Sequence, residues 1–231
     1  MPDLVALALP GGPAFVEALL RTWDRGAAVL PVDLRLPDAA RSALLAALRP
    51  TLLVDADGEH GQSGGLPVEA GDALVVATSG TTGAPRGVVL THDAVAASAR
   101  ATSARLAVGA DDAWLACLPL SHVGGLSVVT RAVVTGTRVT VLPGFDAATV
   151  EAAARDGATL VSLVATALSR IDPSLFRLIV LGGARPPAER PDNSVTTYGL
   201  TETGSGVVYD GLPLDGVEVR VADDGEIHLR G

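Results

Sequence analysis

Thr78-Ser79-Gly80-Thr81-Thr82-Gly83-Ala84-Pro85-Arg86-Gly87-Val88 places four hydroxyl residues, three glycines and one cation in eleven consecutive positions. The apolar run Ala73-Leu74-Val75-Val76-Ala77 leads in and Val88-Val89-Leu90 leads out, so the stretch reads as strand, tight loop, strand. Glycines let the backbone approach a bulky anion, because no Cβ stands in the way. Successive N–H groups in such a turn form an anion-binding concavity. The hydroxyls add donors, and the guanidinium adds a fork matched to phosphate oxygens. The run is built to hold a polyphosphate; the plainer alternative is a flexible Gly/Thr hairpin loop. It is not a Walker A loop, whose glycines are spaced differently and followed by Lys-Ser/Thr, and it does not fit Gly-x-Gly-x-x-Gly.

Working outward, Tyr198-Gly199-Leu200-Thr201-Glu202-Thr203-Gly204 follows the β-branched stretch Val195-Thr196-Thr197. It sets a ring, two hydroxyls and a carboxylate at a strand end. A carboxylate near phosphates can hold Mg²⁺, which binds through one or two carboxylates plus substrate phosphates. The alternative is a strand-to-turn transition with a solvated Glu202. Elsewhere the pattern alternates helix and strand. Helices are expected over 15–23, 37–48, 91–106, 125–135 and 146–155, with Asp146 as a cap. Strands are expected over 27–32, 51–54, 114–118, 138–142, 159–164 and 178–181. The order predicts an α/β fold with a mainly parallel sheet, in which ligands bind at the carboxyl ends of strands. Residues 57–71, rich in Gly, Glu and Ser, read as a mobile connection. After Val207 short β pieces alternate, with Asp224-Gly225 turning a hairpin between 217–221 and 227–229.

The chain has 231 residues, 48% of them apolar but only 3% aromatic, so Ala, Val and Leu must fill its core. A net charge of −9 opposes nonspecific nucleic-acid binding, which needs basic surface. All 17 basic residues are arginine. The single cysteine, Cys117, excludes an internal disulfide and reads as a small buried hydrophobe. No apolar run approaches the ~18 residues of a membrane span, and the first residues lack the pattern of a signal peptide, so the cytoplasm is the expected compartment.

The two motifs, with Leu118-Pro119-Leu120-Ser121-His122 and Leu181-Gly182-Gly183-Ala184 between them in order, resemble the adenylate-forming superfamily of acyl-CoA synthetases, luciferases and adenylation domains. The first is similar to that family's phosphate loop, with Arg86 where the family carries lysine. The second is similar to its Tyr-Gly-x-Thr-Glu motif. The phrase from His122 through Gly125-Leu126-Ser127-Val128-Val129-Thr130-Arg131 most resembles the branch of o-succinylbenzoate–CoA ligases of menaquinone biosynthesis. The resemblance implies an α/β large domain in compact form. Its core would span residues 1–206, with a short N-terminal stretch at 1–72 and the phosphate loop onward at 73–206. A small β subdomain would begin at 207–231.

It further implies an AMP-forming acid–CoA ligase. A carboxylate attacks ATP to give an acyl-adenylate and pyrophosphate, and CoA then forms the thioester, with ATP, Mg²⁺ and CoA as cofactor and co-substrates. Thr78, Ser79, Gly80, Thr81, Thr82, Gly83, Arg86 and Gly87 would hold the β- and γ-phosphates. Thr201 would meet the α-phosphate, Glu202 the Mg²⁺, and Tyr198 the adenine. Gly182, Gly183, Ala184, Thr197 and Gly199 would border nucleotide and acyl group. Arg86, His122, Thr201 and Glu202 are the expected catalytic residues, and His122, Gly125, Ser127 and Arg131 the substrate residues. Arg131 and Arg185 are candidates to pair with a second substrate carboxylate; the alternative for both is solvated surface arginine. The final Gly225-Glu226-Ile227-His228-Leu229-Arg230-Gly231 is similar to a segment inside the family's large domain. The expectation is therefore a large-domain piece, without the small C-terminal domain, that turns over poorly alone. The expected partners are small molecules, without nucleic acid or membrane, and a homo-oligomer stays open. Another acyl- or aryl-CoA ligase, or a non-catalytic nucleotide-binding module, are the other readings.

Overall fold

The computed structural model describes residues 1–79 and 85–231. Fifteen strands and six α-helices follow one another along them. They are β1 (Leu4–Leu7), α1 (Pro13–Asp24), β2 (Ala28–Pro31), α2 (Asp38–Leu48), β3 (Leu52–Asp55), β4 (Gly58–Gly61), β5 (Asp72–Ser79), β6 (Pro85–Thr91), α3 (His92–Arg105) and β7 (Ala113–Ala116). Then come α4 (Val123–Thr135), β8 (Arg138–Val141), α5 (Ala147–Arg155), β9 (Leu160–Leu163), α6 (Ala165–Leu168), β10 (Leu178–Leu181), β11 (Ser194–Gly199), β12 (Gly206–Tyr209), β13 (Leu212–Pro213), β14 (Glu218–Val221) and β15 (Ile227–Arg230).

The strands form three sheets, ordered β4-β3-β1-β2-β5-β6, β13-β12-β11-β10-β9-β7-β8 and β14-β15. The middles of the two large sheets are parallel; antiparallel pairs close both ends of the six-stranded sheet, β3 with β4 and β5 with β6, and one end of the seven-stranded sheet, β11 with β12 and β12 with β13, while its other end is the parallel pair of β7 and β8. The alternation of side chains along each strand then decides the layers. In β1, Val5 and Leu7 face a central apolar cluster while Leu4 and Ala6 face an outer one. In β7, Trp114 and Ala116 face the centre, and Leu115 faces a third cluster with Cys117 just beyond the strand. Phe15 and Leu19 of α1, Val95 of α3, and Leu126 and Val129 of α4 fill the centre between the sheets. Leu44 of α2 covers the outer face of one sheet, and Val150 of α5 with Leu168 of α6 covers that of the other. The result is five layers, helix–sheet–helix–sheet–helix.

Helix starts follow local chemistry. Thr91 Oγ1 accepts from the Ala94 N–H at 3.2 Å, and Asp146 Oδ1 from the Thr149 N–H at 2.9 Å. Strand β1 was not expected from the sequence, and two further features depart from that reading. The connection expected over 57–71 contains β4, an exposed edge strand registered antiparallel to β3 from Asp55↔Gly58 to Leu52↔Gly61. The β alternation after Val207 is shared between two sheets: β12 and β13 continue the seven-stranded sheet, and only β14 and β15 stand apart as the expected hairpin.

Candidate active site

The two motifs, far apart in sequence, meet. The hairpin of β5 and β6 carries Thr78 opposite Arg86 and Ala77 opposite Gly87. The Thr78 hydroxyl lies 3.4 Å from the Arg86 carbonyl oxygen, and the Arg86 side chain is exposed. The Thr201–Thr203 turn packs against β6, and a Cβ on Gly204 would lie 3.5 Å from Leu90. Glu202 is exposed on that turn, and Tyr198, 39% exposed, closes β11 just before it. Gly80, Thr81, Thr82 and Gly83 lie outside the described residues, as does the side chain of Ser79. Among the described residues no cluster of three His, Cys, Asp or Glu could cage a metal ion. A single solvent-facing carboxylate, Glu202, beside a hydroxyl-rich hairpin suits a Mg²⁺ that draws its other ligands from phosphates and water.

Beside this turn a cavity of about 150 Å³ opens at the carboxyl ends of β9, β10 and β11. Ser127 and Arg131 of α4, Gly182 and Gly183 after β10, and Thr197 and Gly199 of β11 line it. Gly183 has φ +78°, a left-handed conformation that favours glycine, and so turns the chain sharply around the cavity. Thr197 Oγ1 is buried there without a hydrogen-bond partner.

Arg131 is the unusual member. It is 3% exposed, its Nη2 donates to Ser205 Oγ at 3.0 Å, and its guanidinium carbon lies 4.8 Å from the centroid of the Trp114 ring. Nε and Nη1 are buried with no partner, and no carboxylate pairs with it among the described residues. Burial lowers its pKa from the ordinary arginine range, with the neighbouring Tyr209 acting weakly the other way. A buried cation without an anion is costly. Arg131 is also one of the residues that line the cavity. The alternative reading of Arg131 as solvated surface does not hold; Arg185 and Ala184, by contrast, are exposed outside the cavity.

His122 caps α4 but is exposed and lines neither this cavity nor its neighbour. Its Nε2 lies 4.0 Å from Asp33 Oδ2, across from the other large sheet. The bidentate Arg35 guanidinium holds Asp33 at a pKa of about 2. Gly125 also lies outside the cavity. A Cβ there would collide with the carbonyl oxygens of Leu118 and Pro119, so this glycine seats α4 against the preceding loop. Cys117 is fully buried, and burial pushes its thiol up to about 12, which leaves it inert.

A larger cleft of about 700 Å³ adjoins the cavity and shares Leu118 and Val164 with it. Its walls come from the ends of strands in both large sheets, through Val32, Leu118, Pro143 and Val164, and it carries Asp33, Arg35 and Arg170. Ser205 and Tyr209 line the smaller cavity and were not read as site residues from sequence. The only signal for Ser205 was its place four residues after Thr201, inside Gly204-Ser205-Gly206.

Comparisons with known proteins bear on the family and the fold. The family model of the AMP-binding enzymes matches residues 65–230. A probable 2-succinylbenzoate–CoA ligase of Mycobacterium tuberculosis is 40% identical over 182 residues, covering 69% of this chain and 46% of that protein. The o-succinylbenzoate CoA synthetase of Bacillus subtilis, solved with the acyl-adenylate intermediate OSB-AMP, superposes with a TM-score of 0.82 at 25% identity, covering 98% of this chain and 57% of that one. The Escherichia coli MenE with a bound analogue of OSB-AMS gives 0.80 at 27%, covering 99% and 57%. The chain spans about half the length, or less, of the curated relatives it matches. No helix among the described residues is long and apolar enough to cross a membrane.

Proposed function

Since the chain belongs to the family of AMP-binding enzymes, we propose that it carries the nucleotide and acyl sites of an AMP-forming acid–CoA ligase, acting on o-succinylbenzoate in the cytoplasm. The observation that carries the substrate class is Arg131, a buried guanidinium with no counter-anion among the described residues, which lines a small cavity next to the Thr201–Thr203 turn. A monocarboxylic acid would leave that charge uncompensated, whereas an acid with a second carboxylate neutralises it through a charge-assisted hydrogen bond.

In the proposed reaction an oxygen of the other carboxylate attacks the α-phosphorus of ATP. The bond to the bridging oxygen breaks and pyrophosphate leaves. Proteins of this kind act chiefly by positioning and charge neutralisation. Thr201 orients the α-phosphate, and Thr78, Ser79, Thr81, Thr82 and Arg86 hold the leaving group, with Gly80, Gly83 and Gly87 letting the backbone close around it. Mg²⁺, when bound through Glu202, supplies further charge neutralisation. Tyr198 borders the adenine, and Gly182, Gly183, Ala184 and Gly199 border the acyl–nucleotide junction. His122, at the start of α4 and near Asp33, borders the substrate carboxylate. The larger cleft, which shares Leu118 and Val164 with the acyl cavity and carries Arg35 and Arg170, suits the pantetheine and diphosphate of CoA.

The test is ligand-induced stabilisation with non-hydrolysable o-succinylbenzoyl-adenylate and benzoyl-adenylate analogues, since a ligand that binds only the folded state raises Tm by mass action. The succinylbenzoyl form should give the larger shift. Arg131→Ala should remove that excess, weakening it by on the order of 10- to 100-fold, the loss expected for a hydrogen bond to a charged group. Equal shifts in the parent chain would overturn the dicarboxylate assignment in favour of another acyl- or aryl-CoA ligase. Absence of binding by either analogue would overturn the adenylate site.

A further inference from the structure

Ser205 is the only hydrogen-bond partner of Arg131's guanidinium among the described residues, at 3.0 Å, and it is itself 7% exposed. Its own place is fixed by the turn that presents Thr201 and Glu202. Thr203 Oγ1 accepts from the Leu200 N–H at 2.9 Å and lies 2.7 Å from the Ser205 carbonyl oxygen, tying the two ends of the turn to one hydroxyl. Gly199 presses on that same carbonyl so closely that a Cβ there would collide with it. A shift of the turn therefore carries Ser205 with it, and Ser205 carries the guanidinium. The guanidinium also lies over the Trp114 ring, with its carbon 4.8 Å from the centroid, a contact that does not by itself choose which nitrogen points where.

We propose that Ser205 is a positioning residue: it sets the in-plane orientation of Arg131 and so couples recognition of the second substrate carboxylate to the nucleotide-binding turn. The proposal rests on the dicarboxylate reading of the cavity. Ser205 needs no contact with the acid for this role. It accepts one N–H from Nη2, the nitrogen common to both forks of the guanidinium, and so decides which of the two forks stays available to a carboxylate.

The test is a double-mutant cycle on the chain, read as dissociation constants for the succinylbenzoyl- and benzoyl-adenylate analogues. Ser205→Ala should weaken the succinylbenzoyl analogue by about tenfold and the benzoyl analogue by no more than about twofold. Ser205→Thr, which keeps the hydroxyl, should restore most of the difference. In the Arg131→Ala background, Ser205→Ala should cost nothing further, because residues acting through one contact are not additive. Equal losses with both analogues would mark Ser205 as merely structural and overturn the proposal, as would additive losses in the cycle. If the unmutated chain fails to prefer the succinylbenzoyl form, the dicarboxylate reading itself fails and the proposal falls with it.

Discussion

At the scale of single residues, the paired glycines 124 and 125 at the start of α4 have opposite tolerances. Alanine is the better helix former by up to about 1 kcal/mol. At Gly124 a Cβ meets only Leu118 Cδ1 at 3.8 Å, so Gly124→Ala should be neutral or stabilising. At Gly125 the same methyl runs into two backbone carbonyls, and Gly125→Ala should lower stability by about 1–3 kcal/mol, read as a fall in the urea midpoint with unchanged slope. Both glycines look alike in sequence, and only the packed loop separates them. The same holds for Arg131. Arginines are mostly exposed, and nothing in Ser127-Val128-Val129-Thr130-Arg131 says that this one lies under Trp114. Thr78 and Thr201 stand out in the sequence because loop chemistry is local. Ser205 does not, because its meaning comes from a partner 74 positions away.

Between elements, one carboxylate ties together the amino ends of three strands in the seven-stranded sheet. Asp112, just before β7, accepts from the Gly109 N–H, from Thr159 Oγ1 ahead of β9, and from Arg177 ahead of β10 in a bidentate pair with both bonds at 2.7 Å. Burial works to raise its pKa, but the Arg177 contact and the other donors outweigh it, and the net direction is down. A carboxyl lowered in the folded state stabilises fully above its unfolded pKa of about 4 and loses that contribution as pH falls through the native value. Asp112→Asn should therefore cost about 2 kcal/mol at neutral pH, below the ~3–5 kcal/mol of a wholly buried pair because Arg177 keeps contact with water. Chemical denaturation as a function of pH should show the deficit shrinking below pH ~4. The elements most legible from sequence are those with an apolar period, such as α1, or a capping side chain, such as α3 and α5. Strand β1 was missed because Leu4–Leu7 is buried on both faces and shows no alternation. Strand β4 was missed because Gly58-Glu59-His60-Gly61 owes its conformation to pairing with β3 rather than to its own composition.

For the whole molecule, the decisive feature is the helical layer shared by both large sheets, in which Phe15, Leu19, Val95, Leu126 and Val129 belong to a single cluster. The alternation of helices and strands made the α/β class readable in advance, but not that two sheets would bury the same helices, since that depends on contacts between distant segments. Neither sheet can lose this layer without exposing the other, so the two should melt together. The tryptophans make that visible. Trp23 donates its indole N–H to the Ala73 carbonyl beside the six-stranded sheet, at 2.9 Å, while Trp114 lies fully buried in the seven-stranded one. Thermal unfolding should give one sigmoidal change in tryptophan emission, coincident with the loss of far-ultraviolet circular dichroism; an emission trace in two steps would mean that the sheets separate independently. Because Trp114 lies against the Arg131 cation, its light also depends on the charge above it. Filling the cavity with an anion would change the colour and yield of that indole alone, so the chain carries its own optical gauge of occupancy, with Trp23 as the unchanging reference.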